Sequence, residues 1–260
     1  MEHHQISVKG RTFNVHQGRY DRFWRRVLRG NWEPETYQTF DRYIDQDTLV
    51  VDFGAWIGST AFYGAQLAKL CLAFEPDRSA FKELQANLKL NKAADWADRI
   101  KIFDEGIHAS GEPISINSAG EGGDSMSSAL FANRPTQWTV KTRRLEDVVA
   151  EFRGDAKKVF VKMDIEGGEY ELIPSLKHLM AQADFVFSIE FHHRMFFRSH
   201  KMGADENPDW RQTYDTKMQA VIDALPWDRD MMTDSGIALD ADGVKGLMLG
   251  KNPADTLIIS

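Results

Sequence analysis

Short apolar runs alternating with helical stretches constrain this chain more than any other feature. Leu49-Val50-Val51-Asp52-Phe53 is the clearest. It is β-branched, almost continuously apolar and ends at Gly54, as expected of a parallel strand buried on both faces. Gly58-Ser59-Thr60 then opens a helix over about 58–69. Leu70–Phe74, Ile100–Phe103, Val159–Met163 and Phe185–Phe191 repeat the strand signal. Helices are expected over 77–90, with Asp77 as N-cap, and over 145–152 and 168–181. Strand and helix signals at this spacing mean βαβ units and hence a doubly wound α/β sheet.

The flanks are less regular. Residues 1–16 read as a hairpin, and helices are expected from about residue 18 and over 35–44, so that 1–46 form an N-terminal extension packed on a core of 47–260. Insertions are expected near 111–144 and 193–212. The first contains a Gly- and Ser-rich stretch, 118–128, that reads as a lid or a surface loop; the second reads as irregular. Arg194, Phe196, Phe197, Arg198, His200, Trp210 and Arg211 in the second are candidates for an acceptor pocket. A helix over 213–225 and closing strands ending at Leu257–Ile259 complete the chain.

With 260 residues, 42% hydrophobic and 27% charged, the chain reads as one globular unit. A net charge of −7 argues against a general nucleic-acid partner, which needs a basic footprint. The single cysteine, Cys71, allows no internal disulfide. The first residues lack a basic region followed by an apolar run, so a cytoplasmic setting is the expectation. No apolar stretch reaches the roughly 20 residues of a membrane helix.

Four places carry chemistry. The loop Asp52-Phe53-Gly54-Ala55-Trp56-Ile57-Gly58 follows the first strand, where open parallel sheets bind ligands. It is not a dinucleotide fingerprint, because Trp56 stands where the middle glycine belongs. Glu75 ends the next strand about 20 residues on, where an acid accepts the hydroxyls of a ribose. That feature suits a nicotinamide dinucleotide and S-adenosylmethionine equally. In Lys162-Met163-Asp164-Ile165-Glu166-Gly167-Gly168-Glu169, alternation sets Lys162, Asp164 and Glu166 on one side, and acids there are costly unless they meet water or a ligand. Glu190 and His192 alternate onto one face of the following strand. If the two strands are neighbours, Asp164, Glu190 and His192 converge as a general base or as ligands for Mg²⁺ or Mn²⁺.

The ordered set of these segments resembles the FkbM family of methyltransferases, a branch of the class I, Rossmann-like fold. The resemblance rests on Trp32-Glu33-Pro34-Glu35, Val51–Gly58, Phe74-Glu75-Pro76 and Asn87-Leu88-Lys89-Leu90-Asn91. It continues through Ser125-Met126-Ser127-Ser128, Arg144-Leu145-Glu146-Asp147, Val161–Glu169 and Ile189-Glu190-Phe191-His192. It spans about residues 32–192 and departs at Trp56, where the family usually has Asn.

The resemblance implies a seven-stranded, mostly parallel sheet and S-adenosylmethionine as methyl donor. Asp52, Gly54, Ala55, Trp56, Gly58, Ser59, Glu75 and Pro76 are the residues expected around that donor, with Asp104 and Glu105 near adenine and Asp164 near the sulfonium. The implied reaction is O-methylation of a small-molecule, sugar or natural-product hydroxyl. Asp164, Glu190 and His192 are the catalytic candidates, His192 the favoured base because an imidazole titrates near neutrality. A homodimer is compatible with everything read so far. The competing readings are an NAD(P)-dependent oxidoreductase and a non-catalytic cofactor-binding domain.

Overall fold

The computed structural model describes residues 3–118, 136–202, 208–251 and 256–260. Its centre is a seven-stranded sheet: β1 (Thr48–Phe53), β2 (Leu70–Phe74), β3 (Ile100–Phe103), β4 (Lys158–Met163), β5 (Phe185–Glu190), β6 (Met231–Thr233) and β7 (Thr256–Ile259). Their order in space is β6-β7-β5-β4-β1-β2-β3. Every neighbouring pair from β3 across to β5 is parallel, and β7 alone runs against both its neighbours. This is the doubly wound, mostly parallel sheet expected from the sequence. The strand order reverses between β1 and β4, so the crevice of such a sheet opens above those two strands.

All six residues of β1 are buried, because both faces are covered. Leu49, Val51 and Phe53 face a layer that includes the helices Leu145–Phe152, Trp210–Ala224 and Ala241–Met248. Val50 faces a second layer made of the N-terminal hairpin, the helices Asp21–Leu28 and Pro34–Tyr43, and the helix Ser59–Leu67. The hairpin, His3–Val8 with Arg11–His16, is stapled to the helix Arg78–Leu90 by asparagines. Asn87 Oδ1 accepts from His16 N at 2.8 Å, and Asn91 Oδ1 accepts from Asn14 N at 2.7 Å. Asp77 caps that helix as expected, accepting from the amides of Ser79 and Ala80.

Two segments differ from expectation. The helix over 168–181 is broken into Glu169–Leu172, a 3₁₀ turn Ile173–Leu176 and Lys177–Met180. Pro174 explains the break, since it has no amide proton for a continuing helix. The insertion read as irregular is helical over His193–Met202, and its face is anchored by Phe196, buried and stacked on Tyr170 at 4.2 Å between ring centroids. Ser125–Ser128 and most of the 118–128 stretch lie outside the described residues. No helix among the described residues is long and apolar enough to cross a membrane.

Candidate active site

A cavity of about 490 Å³ opens above the switch point. Its floor is the turn after β1. Gly54 and Ala55 both donate their amides to the Phe74 carbonyl, at 3.0 and 3.1 Å, and Asp164 N donates to the Phe53 carbonyl. These bonds press two loops together. A Cβ on Gly54 would lie 1.9 Å from the Asp164 carbonyl oxygen, and φ is +76° there, so the position accepts only glycine. Gly58, at φ +101°, is constrained from within instead, by the Phe62 ring and Leu84.

Trp56 sits at φ +46°, a left-handed conformation that Asn tolerates and a bulky residue rarely adopts. The Asn that the resemblance leads one to expect there suits this backbone. Here the indole packs edge-on against Tyr20 and Phe23, at 5.3 and 4.6 Å between centroids, while contributing to the cavity wall. Rings of the N-terminal helix thus stabilise what the backbone disfavours.

Glu75 lies at the end of β2, 6% exposed and on the cavity wall. Its Oε2 accepts from Trp56 N at 2.8 Å and its Oε1 from Asp77 N at 2.7 Å. Burial nevertheless pushes its pKa up to about 8, helped by the charges of Asp77 and Asp52 and opposed by the two amide donors. The folded chain therefore keeps a proton that the unfolded chain, with a carboxyl near 4.5, gives up. More protons are bound in the native state across that window, so stability falls as pH rises through it, by at most ~1.4 kcal/mol per pH unit. Urea unfolding of Glu75→Gln is expected to show a stability gain over wild type that grows between pH 5 and pH 8. A gain independent of pH would contradict the shift.

Beneath the cavity, Asp52 and Lys162 are cross-strand partners in the β1–β4 register. Lys162 Nζ lies 3.5 Å from Asp52 Oδ1 and 3.1 Å from Asp164 Oδ2, and Thr60 Oγ1 donates to Asp52 Oδ2 at 2.9 Å. Burial alone would lower the lysine pKa, but the carboxylates of Asp164 and Asp52 override it and hold the ammonium well above its ordinary range. Asp52 is wholly buried and does not line the cavity; it secures Lys162, which in turn secures Asp164.

At the mouth, β4 and β5 are hydrogen-bonded neighbours, which brings Asp164, Glu190 and His192 together. His192 Nδ1 lies 3.0 Å from Oε1 of Glu169, a fully buried carboxyl that also accepts the Ile165 amide. Nε2 is 3.5 Å from Glu190, 3.7 Å from Asp164 and 3.8 Å from Glu166. Burial opposes charge on the ring, yet the Glu169 hydrogen bond and the charges of Glu169, Asp164 and Glu166 push its pKa up to about 10. Glu169, Asp164 and Glu166 thus shift the ring upward from the near-neutral range expected from the sequence. Burial, with Asp164 and Glu33 close by, raises the Glu190 carboxyl well above the ordinary range.

The remaining expected residues divide. Ser59 and Pro76 line the cavity. Asp104 and Glu105 do not; the next residues, Gly106, Ile107 and His108, form the wall beyond β3. None of the aromatic and basic candidates between Arg194 and Arg211 lines it. Glu33 and Lys162 line it without having been singled out as site residues. Glu33 stands at φ +41° just before the helix Pro34–Tyr43, and the only sequence signal for it was its place in Trp32-Glu33-Pro34-Glu35.

The model of the methyltransferase FkbM domain matches residues 52–219, well over half of the chain. The chain belongs to the FkbM methyltransferase family. The matched stretch runs from Asp52 through every residue of the acid cluster, and membership supports methyl transfer as the reaction class.

Among solved structures, this FkbM-family chain is similar to Methyltransferase FkbM from Methylobacillus flagellatus KT. The identity is 17% over 94% of this chain and 55% of that one, with a TM-score of 0.46. It is also similar to Precorrin-6y C5,15-methyltransferase from Geobacter metallireducens GS-15, at 14% identity over 64% and 68% of the two chains, TM-score 0.35. A third likeness is to SMU.1697c from Streptococcus mutans in complex with SAH, at 9% identity over 86% and 94%, TM-score 0.40. The chain thus spans 55% of the length of the first of these, and no donor or acceptor transfers to it at such similarity. No curated protein matches the chain.

Proposed function

We propose that this chain is an S-adenosylmethionine-dependent methyltransferase acting on a hydroxyl oxygen of a small molecule, which it meets in the cytoplasm. The observation that carries the reading is the meeting, on the walls of one cavity, of the Gly54 turn with Glu75 at the end of the neighbouring strand. The volume of about 490 Å³ is in the range of small-molecule sites. The residues fit a nucleoside donor. A glycine that tolerates no Cβ lets the Asp164 backbone close against this turn, which sets Asp164 on the wall of the same cavity as Glu75. Each Glu75 oxygen already accepts one amide, and once the carboxyl gives up its proton each has a second lone pair for a ribose hydroxyl. Gly106, Ile107 and His108 offer a wall for a flat base. Family membership favours methyl transfer over the nicotinamide reading.

The donor, when bound, supplies a methyl group on a positively charged sulfur. The chain's own work is to align the acceptor and take its proton. Asp164, fixed by Lys162, places negative charge at the mouth, where a cation is favoured. The hydroxyl proton would go to the cluster of Asp164, Glu190 and His192 as the oxygen acquires the methyl and the C–S pair stays on sulfur. Incubation with donor labelled at the methyl and a small-molecule extract is expected to yield labelled methyl ethers. Label on nitrogen or carbon would refute the oxygen assignment, and label nowhere would refute the reading.

A further inference from the structure

Nε2 of His192 is aimed at three carboxylate oxygens and hydrogen-bonded to none of them. The separations of 3.5, 3.7 and 3.8 Å are beyond a hydrogen bond. They are ion-pair separations, and they also fall within the span that donors around one small cation can take. Ligands about 2.1 Å from a metal stand roughly 3.0 Å apart at octahedral and roughly 3.4 Å apart at tetrahedral corners. From behind, the ring is fixed by Glu169, wholly buried, which accepts the Nδ1 proton and so presents Nε2. A carboxylate holding the far nitrogen is the usual support of a metal-binding histidine.

We propose that Asp164, Glu190 and His192 form a divalent-cation site at the mouth of the cavity, of the Mg²⁺ or Mn²⁺ class, with Glu169 as the positioning residue. Their donor atoms all lie within 4.8 Å of one another. Two carboxylates and one imidazole, open towards the cavity, suit a hard ion that keeps further positions for oxygen ligands. Since all three residues line the cavity, an ion held there would be within reach of the acceptor's oxygen and would lower the pKa of its hydroxyl. The use of the ion to hold an acceptor rests on the methyl-transfer reading; the ion site itself does not.

Manganese(II) alone is the probe. Protein stripped with EDTA and dialysed is titrated with Mn²⁺, free ion being read by electron paramagnetic resonance, with no donor or acceptor present. One equivalent per chain is expected. Glu190→Gln and His192→Ala should each weaken binding at least tenfold, and Glu169→Gln about 10–100-fold, with circular dichroism unchanged. Uptake absent from wild type, or the same in Glu190→Gln and His192→Ala as in wild type, overturns the site. S-adenosylhomocysteine binding, measured on the same samples by calorimetry, separates the two readings. Donor-product binding without Mn²⁺ uptake removes only the cation site, and Mn²⁺ uptake without donor-product binding removes only the donor pocket.

Discussion

Lys162→Met should lower the unfolding free energy by about 3–5 kcal/mol, the cost of leaving a buried charge without its partner. Asp52 has no exposure at all, and Lys162 is its only cationic neighbour among the described residues. Methionine fills most of the lysine's volume, so little of the loss comes from a cavity. The double variant Asp52→Asn/Lys162→Met removes both charges, and is expected to recover most of the loss, because a buried ion pair exchanged for neutral groups is often close to neutral in stability. Urea denaturation of the two singles and the double closes the cycle. A Lys162→Met variant within about 1 kcal/mol of wild type would mean that Asp52 is not charged in the folded protein.

Gly54→Ala is expected to cost about 2–5 kcal/mol, from a positive φ and from overpacking. The new methyl meets a backbone carbonyl, that of Asp164, and not a side chain that can swing away. Separating the two loops moves both the cavity floor and Asp164, so binding of S-adenosylhomocysteine should weaken at least tenfold. Gly246→Ala is the matched control. It lies in the helix Ala241–Met248 with nothing within 4 Å of a new Cβ, and should be neutral or stabilise by up to ~1 kcal/mol. If both alanines behave alike in stability and binding, the close approach at Gly54 has no consequence.

The sheet was legible because burial on both faces writes itself as continuous apolar runs. Leu49–Phe53 and Val159–Met163 need no distant partner to be recognised. Pairing Asp164 with Glu190 and His192 was also within reach, since it required only that two strands be adjacent. What the sequence hid is tertiary. Glu169 reads as a helix-start acid, yet it is wholly buried because His192 and the Ile165 amide surround it. The ring's upward shift depends on carboxyls from the end of β4 and from the helix Glu169–Leu172, so no local rule places it. Glu33 reaches the cavity through a left-handed residue before Pro34, and nothing in its own neighbourhood announces a cavity over β4. The helix His193–Met202 was missed because its apolar side is aromatic and interrupted by charge, so its period is weak until Phe196 is seen against Tyr170. Trp56 read as a departure from the family's Asn in the donor loop, and nothing local showed that much of its ring is taken up by Tyr20 and Phe23.

Calorimetric titration of the purified chain with S-adenosylhomocysteine bears most directly on the donor pocket. One site per chain is predicted, weakened at least tenfold in Glu75→Ala and unmatched by any heat from NAD⁺. Absence of binding to the folded wild-type protein, or equal binding by wild type and Glu75→Ala, would contradict it.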